Sequence, residues 1–133
     1  MEISATVTSS TSVHAATVRT GGVAQSLAVP PKATGLGSSV NGGEFLMLAL
    51  ATCYCNDLYR EAARLRIPIE GAELEATAEF PGVGLAARHI RYRAVVKSSA
   101  SAEAIAQLLR ETDAVAEVHN TVRAGVPIEL LRE

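Results

Sequence analysis

The feature that most constrains this chain is a run of apolar residues inside a predicted helix. Asn41 followed three residues later by Glu44 is the pattern of an N-cap with its capping-box partner, and every residue from position 45 to 51 is apolar. We predict a helix over residues 42–66, ended by Pro68. Because a helix that is apolar on all sides has no face for solvent, we expect it to be buried in a core or at a subunit interface.

The two cysteines of the chain, Cys53 and Cys55, both lie in this predicted helix. Residues two apart on an α-helix point roughly 200° away from each other, so these thiols do not form a disulfide while the helix persists. Cys53 is either an inert core residue or a protected nucleophile. Cys55 we interpret as a packing residue. A Cys-x-Cys metal site would need a second Cys or His pair at ligand spacing, so we predict no metal and no organic cofactor.

Alternating hydrophobicity predicts three strands before the helix. Apolar and polar residues alternate over residues 3–8, and two further strands are expected at 13–19 and 23–29. Gly21 and Gly22 between the last two are typical of a tight hairpin turn. The segment from 32 to 40 is then a loop that leads into the helix.

After Pro68 the pattern predicts a pair of antiparallel strands. Apolar residues alternate mainly with glutamates over residues 73–80 and with basic residues over 89–97, and a turn at Pro81-Gly82 separates the two segments. The acidic face of one strand would then lie opposite the basic face of the next. Such opposite charges stabilise a strand pair by about 0.2–1 kcal/mol each.

The last third of the chain is predicted to be mainly helical. Ser101 is a candidate N-cap for a helix with one apolar stripe. Asp113 is expected to cap a further short helix through Val122, which Gly125 closes. Residues 126–131 we interpret as a final strand. Strands, a central helix, a hairpin, helices and a strand make an α+β chain, which we treat as a single domain over residues 1–133.

Composition excludes several classes of protein. With 48% apolar and 20% charged residues, the chain of 133 residues is not disordered. The formal net charge is −2 and basic residues do not cluster with aromatic ones, which argues against nucleic-acid binding. The apolar run is far shorter than the ~20 residues of a membrane helix, and the acidic, alternating N-terminus is unlike a signal peptide. We therefore expect no membrane association and a reducing, cytoplasmic location.

Several segments in their order along the chain resemble the OsmC/Ohr family of thiol peroxidases. These segments are the Gly-rich loop over residues 32–40, Glu44 at the start of an apolar helix, and Cys53 two to three turns into that helix. The segment 118–122 and the segment 125–129 resemble the family's second-cysteine helix and last strand, so the resemblance covers nearly the whole chain. One position departs: the family's second cysteine would fall at Ala116.

The resemblance implies an α+β fold in which antiparallel sheets wrap around a long, buried central helix. It also implies an intertwined homodimer, with two such helices packed together. The implied activity is the reduction of small organic hydroperoxides, with Cys53 as nucleophile, Arg19 as the cation that stabilises the thiolate, and Glu44 as a supporting acid from across the dimer. His119 and Ala116 would line the substrate site. Because Ala116 replaces the second cysteine, an external thiol would have to resolve the Cys53 sulfenic acid.

Other interpretations of these residues stay open. Glu44 also completes a capping box, and the two roles are compatible. The alternative for Arg19 is an ordinary charge at a hairpin end, and Arg91 or Arg93 is an alternative cation. His119 is either an acid, base or lining residue, or a solvated helix histidine. The competing function is a non-catalytic dimer of the same fold that binds an apolar small molecule between its central helices.

Overall fold

The computed structural model describes residues 1–132 and has α+β architecture, as predicted. Two compact units are distinguished: Met1–Phe45, and a second unit that begins at Leu46. The elements in chain order are β1 (Ile3–Ser9), β2 (His14–Thr20), β3 (Val23–Leu27), α1 (Gly42–Leu65), β4 (Gly71–Glu79), β5 (Arg88–Lys97), α2 (Ala102–Val115) and α3 (Glu117–Ala124). Both sheets are antiparallel, with strand orders β1-β2-β3 and β4-β5.

The first unit contains the three predicted N-terminal strands. Gly21, at φ +56°, occupies the turn between β2 and β3, where a left-handed residue allows the tight hairpin. Every residue of β1 and β3 is exposed. The apolar face predicted for β1 is therefore uncovered within one chain: Ile3 is 66% exposed and Val7 63%.

Helix α1 begins and ends on the local signals that the sequence carries. The Asn41 carboxamide oxygen accepts a hydrogen bond from the Glu44 backbone N–H at 2.8 Å, and the Glu44 carboxylate accepts from the Asn41 N–H at 3.0 Å, which is the predicted capping box. At the other end, Arg66 adopts a left-handed conformation with φ +57°. The Ile67 N–H then donates to the carbonyl of Ala62 at 2.9 Å and closes the helix.

The apolar run of α1 is only partly covered. Leu50 is 2% exposed, whereas Leu48 is 57% exposed. The other residues of the run are half-buried. The expectation that this run is buried on all sides is thus not met within a single chain, because the chain covers one side of the helix and leaves the Leu48 side uncovered.

In the second unit, β4 and β5 pair in the predicted antiparallel arrangement. Glu75 lies opposite Arg93, and their carboxylate oxygen and guanidinium nitrogen are 3.1 Å apart. A bulge follows, and Glu79 then pairs with Arg88 at 3.0 Å. The apolar faces of these strands pack against a buried core made of Tyr54, Leu58, Ala62, Leu108 and Ala116.

Two expectations about the C-terminal third are wrong. Asp113 does not cap a helix, because it lies inside α2 and its carboxylate accepts from the Tyr92 hydroxyl and pairs with Arg123. The N-cap of α3 is Ala116, which makes no side-chain capping bond. Residues 126–131 are not a strand: they are exposed, and within residues 1–132 no strand pairs with them. The predicted cap at Ser101 and the left-handed Gly125 after α3 are both present.

Among residues 1–132 no helix combines the length and the apolar character needed to cross a lipid bilayer.

Candidate functional site

The Cys53 thiol lies between α1 and the first residues of α3. Cys53 is half-buried and packs against the core. Its thiol is within hydrogen-bond reach of two carboxylates, 3.6 Å from Asp57 Oδ2 and 3.7 Å from Glu117 Oε2. Asp57 follows Cys53 by one helical turn and so lies on the same face of α1, while Glu117 begins α3. The thiol therefore faces acidic groups from two different helices.

This environment opposes ionisation of Cys53. Burial raises the pKa of the Cys53 thiol above its ordinary value, and the negative charges of Asp57 and Glu117 raise it further. The backbone of Val118, in the first turn of α3, acts in the other direction and lowers this pKa. The net effect is a protonated thiol at neutral pH within these surroundings.

Arg60 compensates the carboxylates. Its guanidinium nitrogen lies 3.0 Å from Asp57 and 3.9 Å from Glu117. Burial raises the pKa of the Asp57 carboxyl, and a hydrogen bond to Glu117 raises it further. The pKa of Glu117 is lowered, first by its own backbone N–H and then by the hydrogen bond with Asp57. The pKa values of the two carboxyls therefore shift in opposite directions, upward for Asp57 and downward for Glu117.

The same three groups have the spacing of cation ligands. One potential ligand atom from each of Cys53, Asp57 and Glu117 lies within 4.8 Å of the others. One sulfur and two carboxylate oxygens make a donor set that Zn²⁺ accepts. This cluster is not evident from the sequence, because cysteine and histidine pairs at ligand spacing are absent and two of its three members are carboxylates. The spacing of four residues between Cys53 and Asp57 was the available signal, whereas Glu117 gave none.

The other residues proposed for the site are distributed over both units. Ala116 is fully buried in the core cluster beside which Cys53 packs, and it directly precedes Glu117. Cys55 is half-buried and is also a free thiol. Arg19 and Glu44 belong to the first unit, where Arg19 is exposed on β2 opposite Ser4 and Ala24, and Glu44 forms the capping box.

The alternative cations differ in their surroundings within the second unit. Arg93 is engaged with Glu75, and Arg91 is exposed on β5 opposite Thr77.

His119 is buried, so the interpretation as a solvated helix histidine is wrong. It is 4% exposed and lies between two tyrosine rings, with centroid distances of 5.8 Å to Tyr54 and 4.5 Å to Tyr92. Neither ring nitrogen has a hydrogen-bond partner among the described residues. Burial lowers the pKa of His119; Arg123 lowers it further, and Asp113 opposes the change.

Residues 35–131 match the family model described as OsmC-like protein. Because this match spans more than half of the chain, the chain belongs to the OsmC-like family. The resemblance deduced from Glu44, Cys53 and the segment 118–122 is thereby confirmed at the level of the family. A search of curated proteins finds no match.

Solved structures of the same family share the fold. An OsmC-like protein from Mycoplasma pneumoniae matches with a TM-score of 0.64 at 21% identity, over 92% of this chain and 86% of that one. An OsmC-like protein from Vibrio cholerae gives a TM-score of 0.59 at 17% identity, over 91% and 93%. An organic hydroperoxide resistance protein OsmC from Legionella pneumophila gives 0.60 at 16%, over 92% and 90%. At these identities the likeness concerns the fold.

The buried imidazole predicts a pH dependence of stability. Because the pKa of His119 is lower in the folded state, the unfolded chain binds the proton more readily. The contribution of His119 to the free energy of unfolding is therefore fully present above the ordinary histidine pKa of about 6.5. As the pH falls below that value, this contribution decreases by at most about 1.4 kcal/mol per pH unit. His119→Phe keeps an aromatic ring and should flatten the unfolding free energy between pH 7 and pH 5, measured by urea titration. His89→Asn, at an exposed histidine, is the control; an unchanged slope in His119→Phe would contradict the assignment.

Proposed function

We propose that this protein reduces small organic hydroperoxides, with Cys53 as the reacting thiol. The observation that carries the proposal is the position of Cys53 in an OsmC-like chain: its thiol is half-buried on α1 and lies 3.7 Å from Glu117 Oε2 at the start of α3. The structural neighbour from Legionella pneumophila is named an organic hydroperoxide resistance protein, which supports the same chemistry.

All the electrons in this reaction come from thiols. The Cys53 thiolate attacks the terminal oxygen of the hydroperoxide, the O–O bond breaks, and the alkoxide takes a proton and leaves as an alcohol. The two electrons come from the sulfur, which becomes a sulfenic acid. An external thiol then forms a mixed disulfide with Cys53 and releases water, and a second thiol restores Cys53. External thiols are required because Ala116 occupies the position of the family's second cysteine.

Ionisation of Cys53 is the step that this environment opposes. A cation within about 4–6 Å of the sulfur would favour the thiolate, and Arg60 is already paired with Asp57 and Glu117. We assign this role to Arg19, whose side chain on β2 is exposed. Glu44 would act as a supporting acid from across the dimer while it keeps its capping bonds to Asn41.

We also propose that the active form is a homodimer. Exposure supports it: the strands β1 and β3 have no buried residue, and Leu48 of the central helix is 57% exposed. Covering these surfaces with a second copy would bury apolar area that one chain leaves in water.

The assembly has a simple measurement. Light scattering on the dilute protein should give a mass close to twice the 13.9 kDa of the chain. We expect the dimer interface to bury more than about 2,000 Å², as in obligate dimers. Leu48→Asp places a charge on the exposed side of α1 and should weaken the dimer, whereas Leu36→Asp in the loop before α1 is the control. A folded wild-type monomer would contradict the proposed homodimer and the role of Glu44 across it.

The two cysteines provide the test of catalysis. Cys53→Ser should abolish the consumption of tert-butyl hydroperoxide in the presence of dithiothreitol, because the serine hydroxyl is not oxidised in this way. Cys55→Ser should retain most of the activity, since a residue two positions away on the helix points to another side. Equal losses in both variants would mean that Cys55 takes part.

The second candidate function is a non-catalytic OsmC-like dimer that binds an apolar small molecule. The raised pKa of Cys53 favours this candidate, because an inert thiol resists ionisation. The rate at which iodoacetamide alkylates Cys53 near neutral pH separates the two functions: a peroxidase thiol reacts quickly, and a buried structural thiol reacts slowly.

A further inference from the structure

A small cavity lies in the second unit, between α1, β5 and α3. Its volume is about 130 Å³, and its lining residues are Leu50, Ile90, Tyr92, His119, Val122 and Arg123. Three of these side chains are aliphatic and come from three different elements. The cavity borders the middle and the end of α3, whereas the Cys53 sulfur contacts the first residues of that helix.

The polar groups around the cavity are not equally engaged. The Tyr92 hydroxyl donates to the Asp113 carboxylate, and the Arg123 guanidinium pairs with the same carboxylate at 2.6 Å. Arg123 donates a further bond to Asn120 at 3.3 Å. Only His119 among these side chains has polar atoms that are buried and lack a partner within the described residues.

An unpaired, buried imidazole calls for a physical explanation. Leaving a buried donor or acceptor unsatisfied costs about 1–3 kcal/mol, so native proteins pair nearly all such groups with protein, water or a ligand. A neutral imidazole has one donor and one acceptor. His119 thus offers both kinds of bond beside a cavity with apolar walls.

We propose that this cavity binds a small neutral molecule that consists of an apolar body about the size of a benzene ring and one hydroxyl group. The volume supports the size, since an apolar cavity of about 150 Å³ binds benzene. A hydroxyl group can donate to an unprotonated ring nitrogen or accept from a protonated one, so it can make one hydrogen bond with whichever His119 nitrogen faces the cavity. A carboxylate is disfavoured because Arg123, the cation at the cavity, is already neutralised by Asp113.

This site goes beyond the proposed peroxide chemistry and does not depend on it. The ligand class is defined by His119 and by the aliphatic walls, and no step of Cys53 oxidation is involved. Binding should therefore persist in Cys53→Ser, so that variant is the protein for the test. A failure of ligand binding would leave the peroxidase proposal standing, and a failure of peroxidase activity would leave this one standing.

The experiment compares three probes of similar size: phenol, toluene and benzoate. Isothermal titration calorimetry of Cys53→Ser should show phenol binding at least about fivefold more tightly than toluene, which corresponds to one additional hydrogen bond. Benzoate should bind more weakly than phenol. Methyl resonances of Ile90 and Val122 should shift on addition of phenol and show contacts to its ring protons, which locates the site without a further substitution.

Two variants assign the determinants of binding. His119→Phe keeps the aromatic packing and should remove the preference for phenol over toluene. Val122→Phe fills the cavity from a partly exposed position and should weaken both probes, whereas Val95→Phe, at a 63% exposed position on β5, is the matched control. The proposal is overturned if phenol does not bind, if the shifted methyl groups lie elsewhere, or if His119→Phe retains the preference. If the cavity binds water and no organic molecule, phenol will not bind, and this result overturns the proposal.

Discussion

The packing of α1 against the start of α3 determines what Cys53 can do chemically. That contact buries the thiol against the core and sets Glu117 and the Val118 backbone beside it. Asp57 arrives from the same face of α1 and completes an acidic environment. The core residues Tyr54, Leu58 and Leu108 depend on the same helix, so the fold and the candidate site cannot be changed independently.

This environment has a physical consequence for the proposed activity. A half-buried thiol beside two carboxylates holds its proton, and a peroxidase thiol must lose it. Because Arg60 compensates the Asp57–Glu117 pair, ionisation of the thiol needs a second positive charge near the sulfur. We propose that Arg19 supplies this charge, since its side chain is exposed. We also propose that the active form is a homodimer, because strands β1 and β3 are uncovered within one chain.

Local signals made much of the fold predictable from sequence. The Asn41–Glu44 capping box and Pro68 gave the limits of α1 within one residue, and opposite charges gave the pairing of β4 with β5. What failed depended on distant contacts. The cap predicted at Asp113 is wrong because this residue contacts Tyr92 and Arg123, which are distant in the sequence or outside the local capping pattern. Residues 126–131 have a strand-like pattern, but in the described part of the chain no strand lies beside them.

The candidate site was predictable only in part, for the same reason. Cys53 follows from the family's spacing, and its acidic partner Asp57 could have been found one turn later on the helix. Glu117 lies 64 residues after Cys53 in the chain, so only the folded structure shows that its carboxylate is close to the thiol. The burial of His119 likewise follows from its packing between Tyr54 and Tyr92, which are brought together by α1 and β5.

The central claim is that Cys53 is oxidised by organic hydroperoxides despite its acidic surroundings. The most direct measurement is mass spectrometry of the protein after one equivalent of cumene hydroperoxide in the presence of dimedone, which traps sulfenic acids. The account predicts a dimedone adduct on Cys53, none on Cys55, and a marked loss of the adduct in Arg19→Gln, with Arg132→Gln as the control. An unmodified Cys53 in the wild-type protein under these conditions would contradict the account and favour the non-catalytic dimer.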